Sequence, residues 1–184
     1  NLAMNLPNKL TILRMIMIPF FVVFLMLPIG GEFVHRYIAL AIFVAASLTD
    51  TLDGYIARRD HLVTDFGKFM DPLADKLLVC SALICLVETG ELPFWIVIII
   101  IAREFIISGF RQIAADNGIV IAASKWGKLK TICQMAMVIL LLANFPGKPV
   151  YILEQALIYL ALVLTVVSLI DYLYKNRKVL SSQK

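Results

Sequence analysis

Asp50-Thr51-Leu52-Asp53-Gly54-Tyr55-Ile56-Ala57-Arg58, followed by Gly67-Lys68-Phe69-Met70-Asp71-Pro72-Leu73-Ala74-Asp75, sets four carboxylates at the junction of two apolar runs. Asp50 and Asp53 are spaced i,i+3 and share one helix face; Asp71 and Asp75, spaced i,i+4, share another. A connection of about a dozen residues between them turns the chain back, so the spacing predicts two helices that aim all four carboxylates at one point. An Asp at the centre of a membrane helix costs about 2.5–3.5 kcal/mol on insertion scales, and mutual repulsion adds to that. Such a cluster persists where something positive neutralises it. An all-oxygen set suits hard divalent cations such as Mg²⁺ or Mn²⁺, two of them for four carboxylates. Zinc is less favoured, because no His or Cys stands nearby. Gly54, Ala57 and Gly67 remove side-chain bulk beside the carboxylates, which lets a flat or anionic group approach the backbone.

Outward from this stretch the chain is apolar. Of 184 residues 61% are hydrophobic and 16% charged, with a mean hydropathy of +0.88; a water-soluble domain of this size carries far more polar surface. Six apolar segments, near residues 10–28, 36–58, 70–89, 92–114, 127–145 and 150–173, each approach the roughly 20 residues of a spanning helix. The expected fold is therefore an all-α integral membrane protein of six transmembrane helices. Turn residues break the segments at Pro28-Ile29-Gly30-Gly31, Thr89-Gly90-Glu91-Leu92-Pro93 and Asn144-Phe145-Pro146-Gly147-Lys148-Pro149.

The net charge of +4 and pI of about 9.0 do not point to nucleic acid, since the basic residues sit between apolar runs rather than along one soluble face. Of the 17 Lys and Arg, only Arg36 and Lys148 fall on one side of the predicted topology. The positive-inside rule then places both termini, and a polar cavity around the aspartates, on the cytoplasmic side. Cys80, Cys85 and Cys133 lie within apolar stretches and read as small buried hydrophobes. Asn1-Leu2-Ala3 reads as residues added ahead of a natural start at Met4.

The pattern Asp-x2-Asp-Gly-x2-Ala-Arg-x8-Gly-x3-Asp-x3-Asp, filled by Asp50, Asp53, Gly54, Ala57, Arg58, Gly67, Asp71 and Asp75, resembles the signature of the CDP-alcohol phosphotransferases. The Asn5-Leu6-Pro7-Asn8-Lys9-Leu10-Thr11 opening and the six apolar segments extend the resemblance along residues 1–184, as a single membrane domain. What the resemblance implies is a displacement at phosphorus: the phosphatidyl group of CDP-diacylglycerol passes to an alcohol and CMP leaves. It assigns Asp50, Asp53 and Asp71 as principal metal ligands, with Asp75 both a ligand and the general base. Asn8, Thr11, Gly54, Ala57, Arg58 and Gly67, with the first three aspartates, would line the CDP-lipid pocket. It further implies a homodimer in a bacterial plasma membrane, surrounded by membrane lipids.

A second polar set, Arg103, Glu104, Arg111, Lys125, Lys128 and Lys130, occupies the fourth segment and the stretch after it. Arg103 and Arg111 are spaced i,i+8, close to two turns and so on one face. Arg103 comes after an apolar run, where a guanidinium needs either a carboxylate such as Glu104 or an anionic ligand. Arg binds phosphate through two parallel hydrogen bonds. In the relatives this chain resembles, basic residues at Arg103, Arg111 and Lys128 hold the phosphate of the acceptor, which makes sn-glycerol 3-phosphate the expected partner and phosphatidylglycerophosphate the product. Inositol phosphate, serine or phosphatidylglycerol remain alternative acceptors. An ion or proton pathway is a rival reading for intramembrane carboxylates, but no chain of polar residues continues to the far side.

Overall fold

A computed structural model of the chain describes residues 5–59 and 64–178, apart from the side chains of Ala57, Arg58 and Lys68. The described residues form six helices, α1 Leu6–Met26, α2 Val34–Arg59, α3 Asp65–Glu88, α4 Phe94–Asp116, α5 Lys125–Ala143 and α6 Lys148–Lys175, with no strand among them. Four are long and apolar enough to cross a bilayer: α1, α2 over Val34–Ile56, α5 and α6. The other two, α3 and α4, carry Asp71 and Asp75 of the motif and Arg103, Glu104 and Arg111 of the second polar set. Large side chains such as Phe20, Ile98, Ile132 and Ile170 are exposed along the helices; in water such faces would aggregate, whereas in a bilayer they meet acyl chains. The chain is a membrane protein.

Two compact units are present, Asn1–Glu88 and Thr89–Lys184. In the first, α1 packs on both α2 and α3. Asn5 starts α1: its side chain accepts the Asn8 amide N–H at 3.1 Å, satisfying one of the free donors of the first turn, and Pro7 fits where no N–H is needed. The buried positions of α1 run Asn8, Thr11, Arg14, Ile18, Phe21 and Leu25, one stripe at three- and four-residue spacing. Its C-terminal half is apolar, with the Phe21 ring 5.6 Å from that of Phe43 on α2 and the fully buried Ala39, Ala46, Ala74 and Leu78 completing the core. Its N-terminal half is polar. Gly30 and Gly31, at φ +89° and +109°, turn the chain into α2, and His35 Nδ1 lies 2.9 Å from the Phe24 carbonyl across that turn. Ser47 and Thr49 donate back to the carbonyls of Phe43 and Ala46, so neither hydroxyl is left bare in an apolar setting.

In the second unit, α6 packs on α4 and α5. Ile107, Phe110 and Ala114 of α4 close on Tyr172 of α6, with Phe110 and Tyr172 edge to face at 5.7 Å. Ser124 caps α5 by accepting the Gly127 N–H at 3.0 Å, and Asn144, at φ 49°, ψ 47°, ends it in the left-handed conformation that closes many helices.

The helices outrun the expected segments at their charged ends. Helix α2 continues through Arg59 and α3 begins at Asp65, so the connection between the aspartate pairs is shorter than the dozen residues expected, and both pairs lie wholly within helices. The cause is local capping. Thr64 Oγ1 accepts the Gly67 N–H at 3.0 Å and Asp65 stands in the first turn, where a carboxylate opposes the positive end of the helix dipole.

Candidate functional site

The polar half of the α1 stripe meets the motif. Arg14, with no side-chain exposure, reaches Asp50 Oδ1 through Nη1 at 2.8 Å and pairs with Asp53 Oδ2 through Nη2, while Nε lies 3.4 Å from Thr49 Oγ1. Three residues earlier, the fully buried Thr11 sets its hydroxyl against Asp71 Oδ1, 3.5 Å from Asp53 Oδ2 and 3.1 Å from the Pro7 carbonyl. A hydroxyl has one proton to donate, so these acceptors compete for it. A turn before that, Asn8 Oδ1 accepts from Thr64 Oγ1 at 2.9 Å. Asn8, Thr11 and Arg14 thus succeed one another at three-residue spacing and join α1 to the two motif helices.

Gly67 owes its place partly to packing. A Cβ there would come within 3.2 Å of both Asn8 Oδ1 and Thr64 Oγ1, and 3.6 Å from Asp71 Oδ2. The missing side chain lets α1 approach α3 beside a motif carboxylate. Asp53 is buried, while Asp50, Asp71, Asp75 and Gly54 are partly so. Ala57 and Arg58 lie on α2, and their side chains are outside the described residues.

The structure therefore brings Asp50, Asp53, Asp71, Asn8, Thr11 and Gly67 to the packed ends of α1, α2 and α3. Among the described residues, no three His, Cys, Asp or Glu side chains converge closely enough to hold one ion as they stand. The donor chemistry still fits a hard cation. Arg14 and Thr11 bind Asp50 through Oδ1, Asp53 through Oδ2 and Asp71 through Oδ1, so each carboxylate has a second oxygen not engaged by them, and carboxylate oxygens are the ligands Mg²⁺ and Mn²⁺ prefer. Arg14 is the residue that sequence reasoning passed over. Its signal was present: a lone guanidinium within the first apolar segment requires a buried counter-charge.

In the second unit, Arg103 is 8% exposed and is held by protein groups. Nη1 pairs with Glu104 Oε1 at 3.2 Å, and Nε lies 3.2 Å from Ser168 Oγ on α6. Lys130, also buried, closes on the same Glu104 oxygen. Gly127 makes room for the guanidinium, since a Cβ would meet Arg103 Nη2 at 3.3 Å. Arg111 stands apart from this network, exposed, with its guanidinium 5.7 Å from the Tyr172 ring centroid. Lys128 is exposed. Arg103, Arg111 and Lys128 are thus not a single cluster: one is held in an ion-pair network and two face outward.

Fold and site together define an α-helical membrane protein with an acidic centre where three helices meet. The model of the CDP-alcohol phosphatidyltransferase family matches residues 4–167, and the chain belongs to that family. It is 44% identical to the CDP-diacylglycerol–glycerol-3-phosphate 3-phosphatidyltransferase of Bacillus subtilis, over 97% of this chain and 98% of that relative. It is 44% identical to the protein of the same name from Haemophilus influenzae, over 92% and 91%, and 39% identical to that of Pseudomonas fluorescens, over 92% and 89%.

Proposed function

We propose that this chain transfers the phosphatidyl group of CDP-diacylglycerol to sn-glycerol 3-phosphate, giving phosphatidylglycerophosphate and CMP. The observation that carries this is the 44% identity to the Bacillus subtilis phosphatidyltransferase, which runs almost end to end in both chains. The aspartates gathered at α1, α2 and α3 supply a matching chemical setting. The acceptor hydroxyl attacks the phosphorus bearing the diacylglycerol, a new P–O bond forms, and the P–O bond to CMP breaks. Asp75 takes the hydroxyl proton, acting as a base within reach of the nucleophile.

Asp50, Asp53, Asp71 and Asp75 would hold Mg²⁺ or Mn²⁺, which when bound offsets charge on the diphosphate and on departing CMP. Asn8, Thr11, Gly54, Ala57, Arg58 and Gly67 belong to the CDP-lipid side of the reaction. Arg103, Arg111 and Lys128 would hold the acceptor phosphate, Arg111 and Lys128 being exposed and Arg103 paired with Glu104. In the cell the protein spans a bacterial plasma membrane six times, since α3 and α4, at 24 and 23 residues, are also long enough to cross. The clustering of Lys and Arg supports cytoplasmic termini and a cytoplasm-facing active site, and the protein acts as a homodimer.

The test is CMP release by purified protein in nanodiscs with CDP-diacylglycerol, Mg²⁺ or Mn²⁺, and a panel of alcohols. Release is expected with glycerol 3-phosphate; a preference for serine, inositol phosphate or phosphatidylglycerol would reassign the acceptor.

A further inference from the structure

Arg14 holds Asp50 and Asp53 of the motif at once and touches Thr49. It is fully buried, and a guanidinium does not give up its proton in a protein. Two carboxylates of the acidic centre therefore share a permanent positive charge supplied by α1. Thr11, one turn away on the same face, braces the third through Asp71 Oδ1. Arg14 binds only one oxygen of each aspartate, so its pairing and a cation on the other oxygens are compatible. Groups behind a ligand's coordinating atoms commonly orient it and tune its affinity.

We propose that Arg14 is a positioning residue that serves as the acidic centre's resident counter-ion: it holds Asp50 and Asp53 side by side when no divalent cation is bound, and it weakens the hold of the cation that arrives. This rests on the reading of the aspartates as cation ligands. Two like charges on shared carboxylates oppose one another, so removing Arg14 harms the cation-free protein most, and the cation then restores more than it adds to the unaltered protein. A purely structural salt bridge would cost the same with or without the cation.

Thermal unfolding of the full chain in nanodiscs, with and without Mn²⁺, separates these cases. The rise in Tm produced by Mn²⁺ is expected to be at least twice as large in Arg14→Met as in the unaltered protein, and Arg14→Lys, which keeps the charge, is expected to behave as the unaltered protein does. An Arg14→Met protein that folds only when Mn²⁺ is present would be the extreme form of the same result. An equal or smaller rise in Arg14→Met, or failure to fold in both conditions, overturns the role of Arg14. No Mn²⁺ effect on any of the three overturns instead the reading of the aspartates as cation ligands.

Discussion

Arg14 and Asp53, 39 residues apart in sequence, form an ion pair in which the side chains are 0% and 1% exposed. The bond couples the first helix to the motif of the second in a place where neither charge can be met by water. A buried pair contributes little over an apolar one, but breaking it strands its partner.

Asp53→Ala is therefore expected to destabilise the protein by about 3–5 kcal/mol, read as a lowered midpoint in thermal unfolding. Asp50→Ala, whose side chain is 39% exposed, is expected to cost clearly less. Equal losses would mean that burial does not set the strength of the two contacts.

Gly67→Ala tests the close approach of α1 and α3. A methyl group 3.2 Å from both Asn8 Oδ1 and Thr64 Oγ1 forces those atoms apart, an overpacking cost of about 1–3 kcal/mol. Because Asp71 Oδ2 lies next to the same point, activity is expected to fall as well. Full activity with unchanged stability would show that the helices separate freely there.

Asp75→Asn keeps the size and shape of the side chain while removing a base. Turnover is expected to fall at least a hundredfold, the low end of what general-base removal costs (~10²–10⁴), with CDP-diacylglycerol binding little changed. Substantial residual turnover would remove Asp75 from the role of base.

Arg111→Ala is expected to raise the KM for glycerol 3-phosphate more than that for CDP-diacylglycerol, with little loss of stability, because Arg111 is exposed and meets only the Tyr172 ring among the described residues. Arg103→Ala differs: it leaves Glu104 and Lys130 without one member of a buried network, so stability and acceptor KM are expected to change together. An unchanged acceptor KM in Arg111→Ala contradicts the phosphate assignment.

The apolar runs made six helices legible, and the spacing of Asp50, Asp53 and Asp71 made legible the three carboxylates that α1 joins. The helix starts were not, because an apolar run stops at the first charge whereas a helix continues to its cap; Thr64 and Asp65 extend α3 well ahead of its apolar part. Arg14 was hidden for a related reason. A single cation in a run of Leu, Ile and Met does not disturb the hydropathy of the segment, and its partners lie on another helix. Arg103 shows the limit of face arguments: spacing put it with Arg111, but Ser168, 65 residues away, and the network around Glu104 decide where its guanidinium sits.

Incorporation of radiolabelled sn-glycerol 3-phosphate into chloroform-extractable lipid, by the purified protein supplied with CDP-diacylglycerol and Mn²⁺, addresses the proposed reaction directly. The label is expected to enter a phosphatidylglycerophosphate product in one-to-one ratio with released CMP, and to depend on both substrates. Label that stays in the aqueous phase while CMP is released with another alcohol would contradict it.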